Sequence, residues 1–452
     1  MNENNKTYIY VGVAVVLLLI AFLSAPNRIT PEAFLDQDEA FYPDFTDPNE
    51  ATSLEVISYD EASGTAHPFK VTFKDGLWTI PSHHDYPADA KEQLAKTAAG
   101  VIDIKKDEFR TDNVSDHAKL GVIDPMSTTA GLAGRGQRIT IRGAQDQLLA
   151  DFIIGKPVEG RQNYRYVRLP NQNRVYAVKM NLDLSTKFTD WIDRNLLEIE
   201  PNNIEKIDIE NYSINERSKQ MVNRDNLVLS RTDNGWSANR SGNIKIVDTL
   251  KVDSLLSSLT SLEIVGVRPK PTGFSEALAG NAGGMTMTNS EVMELQRIGF
   301  YISRDGQLIS NEGELNVHTD KGLIYTMHFG EVTYASGLAL TAGVDEDQSG
   351  NKDESKAARY LFITTHFDEN YFKAPKKPAN LDFMKKDKPT WSKDDKINAD
   401  LHDKYEAYRN KVETGENLSN EQNRRFADWY YVISEDSFKQ IRVERADIVI
   451  DK

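Results

Sequence analysis

The side chains able to do chemistry are limited in kind. The chain holds eight histidines, no cysteine and 69 acidic residues. Without cysteine there are no disulfides, no thiol catalysis and no cysteine-ligated zinc or iron–sulfur cluster. His83 and His84 are adjacent, with His67 upstream. A metal needs ligands that converge, and neighbours on an extended segment point to opposite faces, so this group reads as surface or capping histidines. His318 and His328 fall on strand-like runs with no third ligand in view.

The segment Asp345-Glu-Asp347-Gln-Ser349-Gly350-Asn351-Lys-Asp353 matches six positions of a calcium-binding loop. Its twelfth position, where a bidentate glutamate belongs, is Lys356. Two carboxylate oxygens are lost and a cation gained, so an acidic loop is expected at 345–354. Serine-hydrolase, phosphate-loop, metalloprotease and dinucleotide signatures are all missing. The expectation is therefore no catalytic residue, no cofactor and no metal.

Four residues stand out as structural anchors. Trp78 and Trp236 end similar hairpins, where large aromatics fix a sheet to a helix. Asp89 and Asp248 each precede a helical stretch, as N-caps do.

The elements holding these residues follow from pattern and length. At 452 residues, 39% apolar and 27% charged, the chain can build two to four ordinary domains. A formal charge of −15 argues against a nucleic-acid partner. Residues 8–24 (YIYVGVAVVLLLIAFLS) carry no charge, and about 26 Å of helix would just cross a bilayer core. Bulky Phe22 and Leu23 make a poor cleavage site, so a retained single-pass anchor contacting lipid is expected in segment 1–25, with the N-terminus inside. Residues 26–52 then form an acidic tether.

Beyond the tether, one order of elements recurs. Phe69-Lys-Val-Thr-Phe73, the Asp75-Gly76 turn and Leu77-Trp78-Thr79-Ile80 form a hairpin, followed by a helix with Leu94, Ala98 and Val101 on one face. Leu227-Val-Leu229, Asp233-Asn-Gly235 and Trp236 repeat the hairpin, and Leu255, Leu259 and Leu262 repeat the helix. Tandem units at 53–200 and 201–452 account for this, with insertions near 280–289, 342–357 and 373–425. In the last insertion, Ile397, Leu401, Tyr405, Tyr408 and Val412 mark a helical stripe. The expected class is α+β: an N-terminal transmembrane helix, then two repeats of antiparallel sheet with helices on one face.

Phe73-Lys-Asp-Gly-Leu-Trp78, Tyr86-Pro-Ala-Asp89, Leu120-Gly121, Phe152-Ile-Ile-Gly155 and Trp191-Ile-Asp-Arg-Asn-Leu196, in that order, resemble domain-of-unknown-function family 4340. The ending Arg425-Phe-Ala-Asp-Trp429 resembles that of its long planctomycete-type members. The resemblance implies a neighbour of ABC transporter components like the gliding-motility auxiliary subunit, and carries over no catalytic residue. The expectation is a non-enzymatic, membrane-anchored extracytoplasmic accessory or scaffold protein working with an ABC permease and ATPase at the cytoplasmic membrane. The alternative is a periplasmic binding module for an envelope polymer or small ligand, held in a groove between the repeats.

Overall fold

The computed structural model describes residues 11–18, 20, 36–180, 182, 184–215, 220–239, 245–271, 274, 288–303, 306–343 and 356–451. They divide into two compact units: Met1–Glu61 with Ala66–Pro68 and Leu94–Leu184, and Ala62–Thr65 with Phe69–Gln93 and Ser185–Lys452.

Nine strands arise before residue 180: β1 (Ser53–Asp60), β2 (Thr65–Lys74), β3 (Leu77–Ile80), β4 (Tyr86–Pro87), β5 (Glu108–Thr111), β6 (Gln137–Arg142), β7 (Leu148–Pro157), β8 (Tyr164–Arg168) and β9 (Val175–Lys179). Helices α1 (Lys91–Ile102) and α2 (His117–Leu120) lie among them. In the first unit the strands run β2-β1-β6-β7-β8-β9-β5, with β2 entering through Ala66–Pro68. Alternation decides which face is buried: Leu54 and Val56 on β1, and Ile139 and Ile141 on β6, are inaccessible. The helical period does the same for Leu94, Thr97, Ala98 and Val101 on α1. Gly134 has φ +79°, and a Cβ there would stand 2.2 Å from the Ala118 carbonyl oxygen, so this glycine-rich segment is a close approach of two backbones.

The second unit takes up the hairpin from Phe69 onward, ordered β4-β3-β2. Asp75 (φ 53°) and Gly76 (φ 86°) are both left-handed, which gives the two-residue turn its twist. Its large sheet draws on β10 (Ile204–Asn215), β11 (Gln220–Thr232), β12 (Gly235–Ala238), β14 (Gly266–Pro269), β17 (Glu314–Thr319), β18 (Leu323–Ala335), β19 (Lys356–Phe367) and β20 (Trp429–Ser434), with β13 (Lys245–Val247), β15 (Phe300–Ile302), β16 (Leu308–Ser310) and β21 (Val449–Asp451) in two small ladders. The order is β12-β11-β10-β17-β18-β19-β20-β14. Among the described residues, the strand pairs of this sheet are all antiparallel. Helices α3 (Thr249–Thr260), α4 (Asn289–Arg297), α5 (Gly337–Thr341), α6 (Lys393–Phe426), α7 (Glu435–Ile441) and α8 (Arg445–Ile448) complete the unit.

The architecture is α+β-like, with large antiparallel sheets, but the transmembrane-helix expectation is corrected. Among the described residues, no helix is long and apolar enough to cross a membrane. Of segment 8–24, only 11–18 and 20 are described. Residues 26–35 of the tether, the loop at 345–354 and residues 280–287 lie outside the described residues.

The stripe on α6 holds from Leu401 onward: Leu401, Tyr405, Tyr408 and Val412 are half-buried, and the row continues through Gly415, Ser419, Gln422 and Phe426. Ile397 is half exposed, while the buried positions include Asp395, Asn398, Ser419 and Gln422. Asp395 and Asn398 are tolerated there because they are partnered. Asn398 accepts from the Ala379 N–H at 2.9 Å, and Lys386 Nζ reaches Asp395 at 2.8 Å.

Candidate functional site

Three polar or aromatic constellations in the second unit are built well enough to be tested for function. The first is an aromatic hub. Sequence places His83 just past β3, where a short turn ends at His84 with left-handed backbone. His83 is 2% exposed, lies parallel to Phe188 at 4.1 Å, and has its Nε2 2.9 Å from Thr341 Oγ1. His84 Nε2 lies 2.8 Å from the Ala342 carbonyl oxygen. Burial, with His84 and Arg268 nearby, pushes the His83 pKa down to about 4. It is therefore a neutral core histidine, not the surface group its neighbours suggest, whereas His84 stays exposed at the cap. Tyr86 packs edge-on against Phe188 and Trp429, and Trp191 is fully buried beside Phe69. The Trp191 ring N–H donates to the Ser185 carbonyl, which removes the cost of burying it.

The second constellation crosses the large sheet. Asp208, Glu210 and Tyr212 alternate with buried Ile207 and Ile209 on β10, and Glu314 and His318 alternate with Leu315 and Val317 on β17. Alternation thus places all five on the opposite face. His318 Nε2 lies 3.0 Å from Asp208 Oδ2, which Lys206 Nζ also meets at 2.8 Å. Burial pushes the Asp208 pKa up, yet the bonds from His318 and Lys206 outweigh it and hold it below the usual range. Tyr212 donates to Glu314 Oε1 at 2.5 Å, and His328 Nδ1 stands 3.4 Å from the same oxygen, an ion-pair distance rather than a hydrogen bond. Glu314 is likewise held low despite burial, whereas burial and the neighbouring Glu314 and Asp208 raise Glu210. These groups pair with one another, although Asp208 Oδ1 and His328 Nδ1 are buried without a hydrogen-bond partner. A hydrolase would instead need a nucleophile, base and oxyanion donors converging on one point. No group of three or more potential metal ligands occurs among the described residues.

Lys270 lies deeper. Its ammonium sits 3.7 Å from the Phe362 ring centre and donates to the Phe426 carbonyl at 2.8 Å. Burial pulls its pKa down to about 7, against the attraction of Asp428.

The third feature is a concavity of about 310 Å³ beside α3, lined by Lys251, Ser254, Lys439, Gln440, Arg442 and Asp447 among others.

The anchors fall as follows. Trp78 is half-buried, 5.2 Å from Phe73, and Trp236 is half-buried beneath the Arg231 guanidinium at 5.0 Å. The Asp248 carboxylate caps α3, accepting from the Leu250 and Lys251 N–H groups at 3.0 and 3.3 Å. Asp89 is exposed two residues before α1, and its own N–H donates to the Trp191 carbonyl at 2.8 Å. None of the four lines the concavity. Sequence reasoning passed over Phe188, Asp208 and the concavity residues. Alternation along β10 and β17 is the signal that placed the acids on one face; their histidine partners needed the sheet order.

Residues 78–277 match the family model described as Domain of unknown function (DUF4340). Over these residues the chain belongs to the DUF4340 family. Nothing among curated proteins and nothing among solved structures matches it. The DUF4340 segment contains Trp78, Tyr86, Asp89 and Trp191, so much of the hub lies within it. These motif residues are spent on packing.

Proposed function

We propose that this DUF4340 protein is a non-enzymatic accessory or scaffold subunit that works with an ABC-type permease and ATPase on the extracytoplasmic side of the cytoplasmic membrane. The observation carrying this reading is α6. At 34 residues it is about 50 Å long. Its C-terminal half is tied to β19: Thr365 donates its N–H to Asn423 Oδ1 at 2.8 Å and its hydroxyl to the Ser419 carbonyl at 2.9 Å. The N-terminal half rests instead on its own flanking segment, through Phe383 against His402 and Lys386 against Asp395. That leaves a charged helical arm with Ile397 half exposed, a form suited to gripping a partner. The mutual pairing of Asp208 with His318 and Glu314 with His328 supports a structural rather than a catalytic use of those groups.

Crosslinking in cells, followed by affinity purification of the full chain and mass spectrometry, tests this. A permease and an ATPase should be recovered, and Ile397→Glu should reduce their yield. Purification without any transporter subunit would sink the reading.

A further inference from the structure

The concavity beside α3 carries positive charge that folding does not require. Lys251 is the third residue of α3, the end at which a helix dipole disfavours a cation. The nearby Asp248 carboxylate accepts from backbone N–H groups, and Lys251 takes part in none of the ion pairs found among the described residues. Lys439, opposite it on the last turn of α7, also forms none of them. Arg442 gives Nη1 to Glu312, which fixes the guanidinium, while its Nη2 is buried without an acceptor. A buried donor left unpaired costs about 1–3 kcal/mol, so an acceptor that reached this nitrogen would recover that cost. Asp447, the one carboxylate on the wall, accepts the Glu444 N–H at 2.8 Å.

We infer that this concavity binds the dianionic phosphate group of a small solute. Lys251 on α3, Lys439 on α7 and Arg442, which caps α7, line a space of about 310 Å³, at the lower end of small-ligand sites. A lone carboxylate needs one fork-shaped partner, whereas a tetrahedral dianion uses cations from several directions. A guanidinium already held by Glu312 lowers the ordering cost of binding. This inference is independent of any transporter association.

Titration of the full-length protein with inorganic phosphate, by calorimetry at low ionic strength, decides it. One saturable site is expected, with a dissociation constant of about a millimolar or tighter. Lys251→Gln/Lys439→Gln should weaken it about tenfold or more. Both side chains are exposed, so the thermal midpoint should not move. The control Lys393→Gln/Lys396→Gln, on exposed lysines of α6, should leave binding unchanged. Non-saturating uptake, an equal loss in the control, or full binding by the Lys251/Lys439 variant would overturn the site. Acetate binding as tightly as phosphate would overturn the ligand class.

Discussion

The two units solve one problem with different chemistry. Seven strands of the first sheet, β2-β1-β6-β7-β8-β9-β5, follow the order of β11-β10-β17-β18-β19-β20-β14 in the second. On β6 and β7 of the first, Arg138 meets Asp151 through two bonds of 2.9 and 2.7 Å and reaches Asp124 at 3.0 Å. On the corresponding strands of the second, β17 and β18 pair Glu314 with His328, and β10 and β17, the counterparts of β1 and β6, pair Asp208 with His318. A guanidinium keeps its charge at any ordinary pH, whereas imidazole is the side chain suited to changing charge near neutrality. The apolar face of each sheet supplies the core, so the polar face is free to vary in this way.

The largest effect should come from burial rather than charge type. Arg359 in the second unit is nearly buried, with two bonds to Glu435 and one to the Gly330 carbonyl at 2.7 Å. Arg359→Met should cost about 3–5 kcal/mol, because it strands a buried carboxylate. Arg138→Met, whose pair is more exposed, should cost about 1–2 kcal/mol. Urea denaturation measures both, and equal losses would refute burial as the deciding factor.

Next in size is the pH response of His83. Its folded pKa is depressed from 6.5 to about 4, so the unfolded chain binds a proton first on acidification. Stability is full above about pH 6.5, falls below it, and reaches its full loss of about 2–3 kcal/mol near pH 4. His83→Gln should flatten that slope in a pH series of denaturation midpoints; an unchanged slope would refute the assignment.

Glu314 should respond lower on the scale. Its carboxyl is held below the usual range, so its contribution is present above about pH 4.5 and is lost as pH falls through its folded value. Glu314→Gln should be about 1–2 kcal/mol less stable at pH 7 and converge with the parent near pH 2. A constant gap at both pH values would count against the pair.

The smallest contrast separates the two aspartates at matching places before helices. Asp248→Ala should cost about 1 kcal/mol through loss of the cap, and Asp89→Ala within about 0.5 kcal/mol, because Asp89 contributes its backbone N–H. Thermal melts of the two variants distinguish them.

The sequence by itself determined the local elements. Alternation marked β6 through Ile139 and Ile141, the Asp75-Gly76 pair marked a two-residue turn, and the helical period marked Leu94, Ala98 and Val101 as a buried stripe. Each of these signals lies within a few residues, where backbone geometry alone imposes the period. Tertiary structure decided the rest. Asp208 and His318 are 110 residues apart and meet only because β10 lies beside β17. His83 reads as a surface group until Phe188 and Thr341 close over it, 258 residues separating it from the latter. The concavity gathers Lys251 and Lys439 from helices far apart in the chain. Burial and charge pairing depend on which distant strands and helices become neighbours, and no local period carries that information.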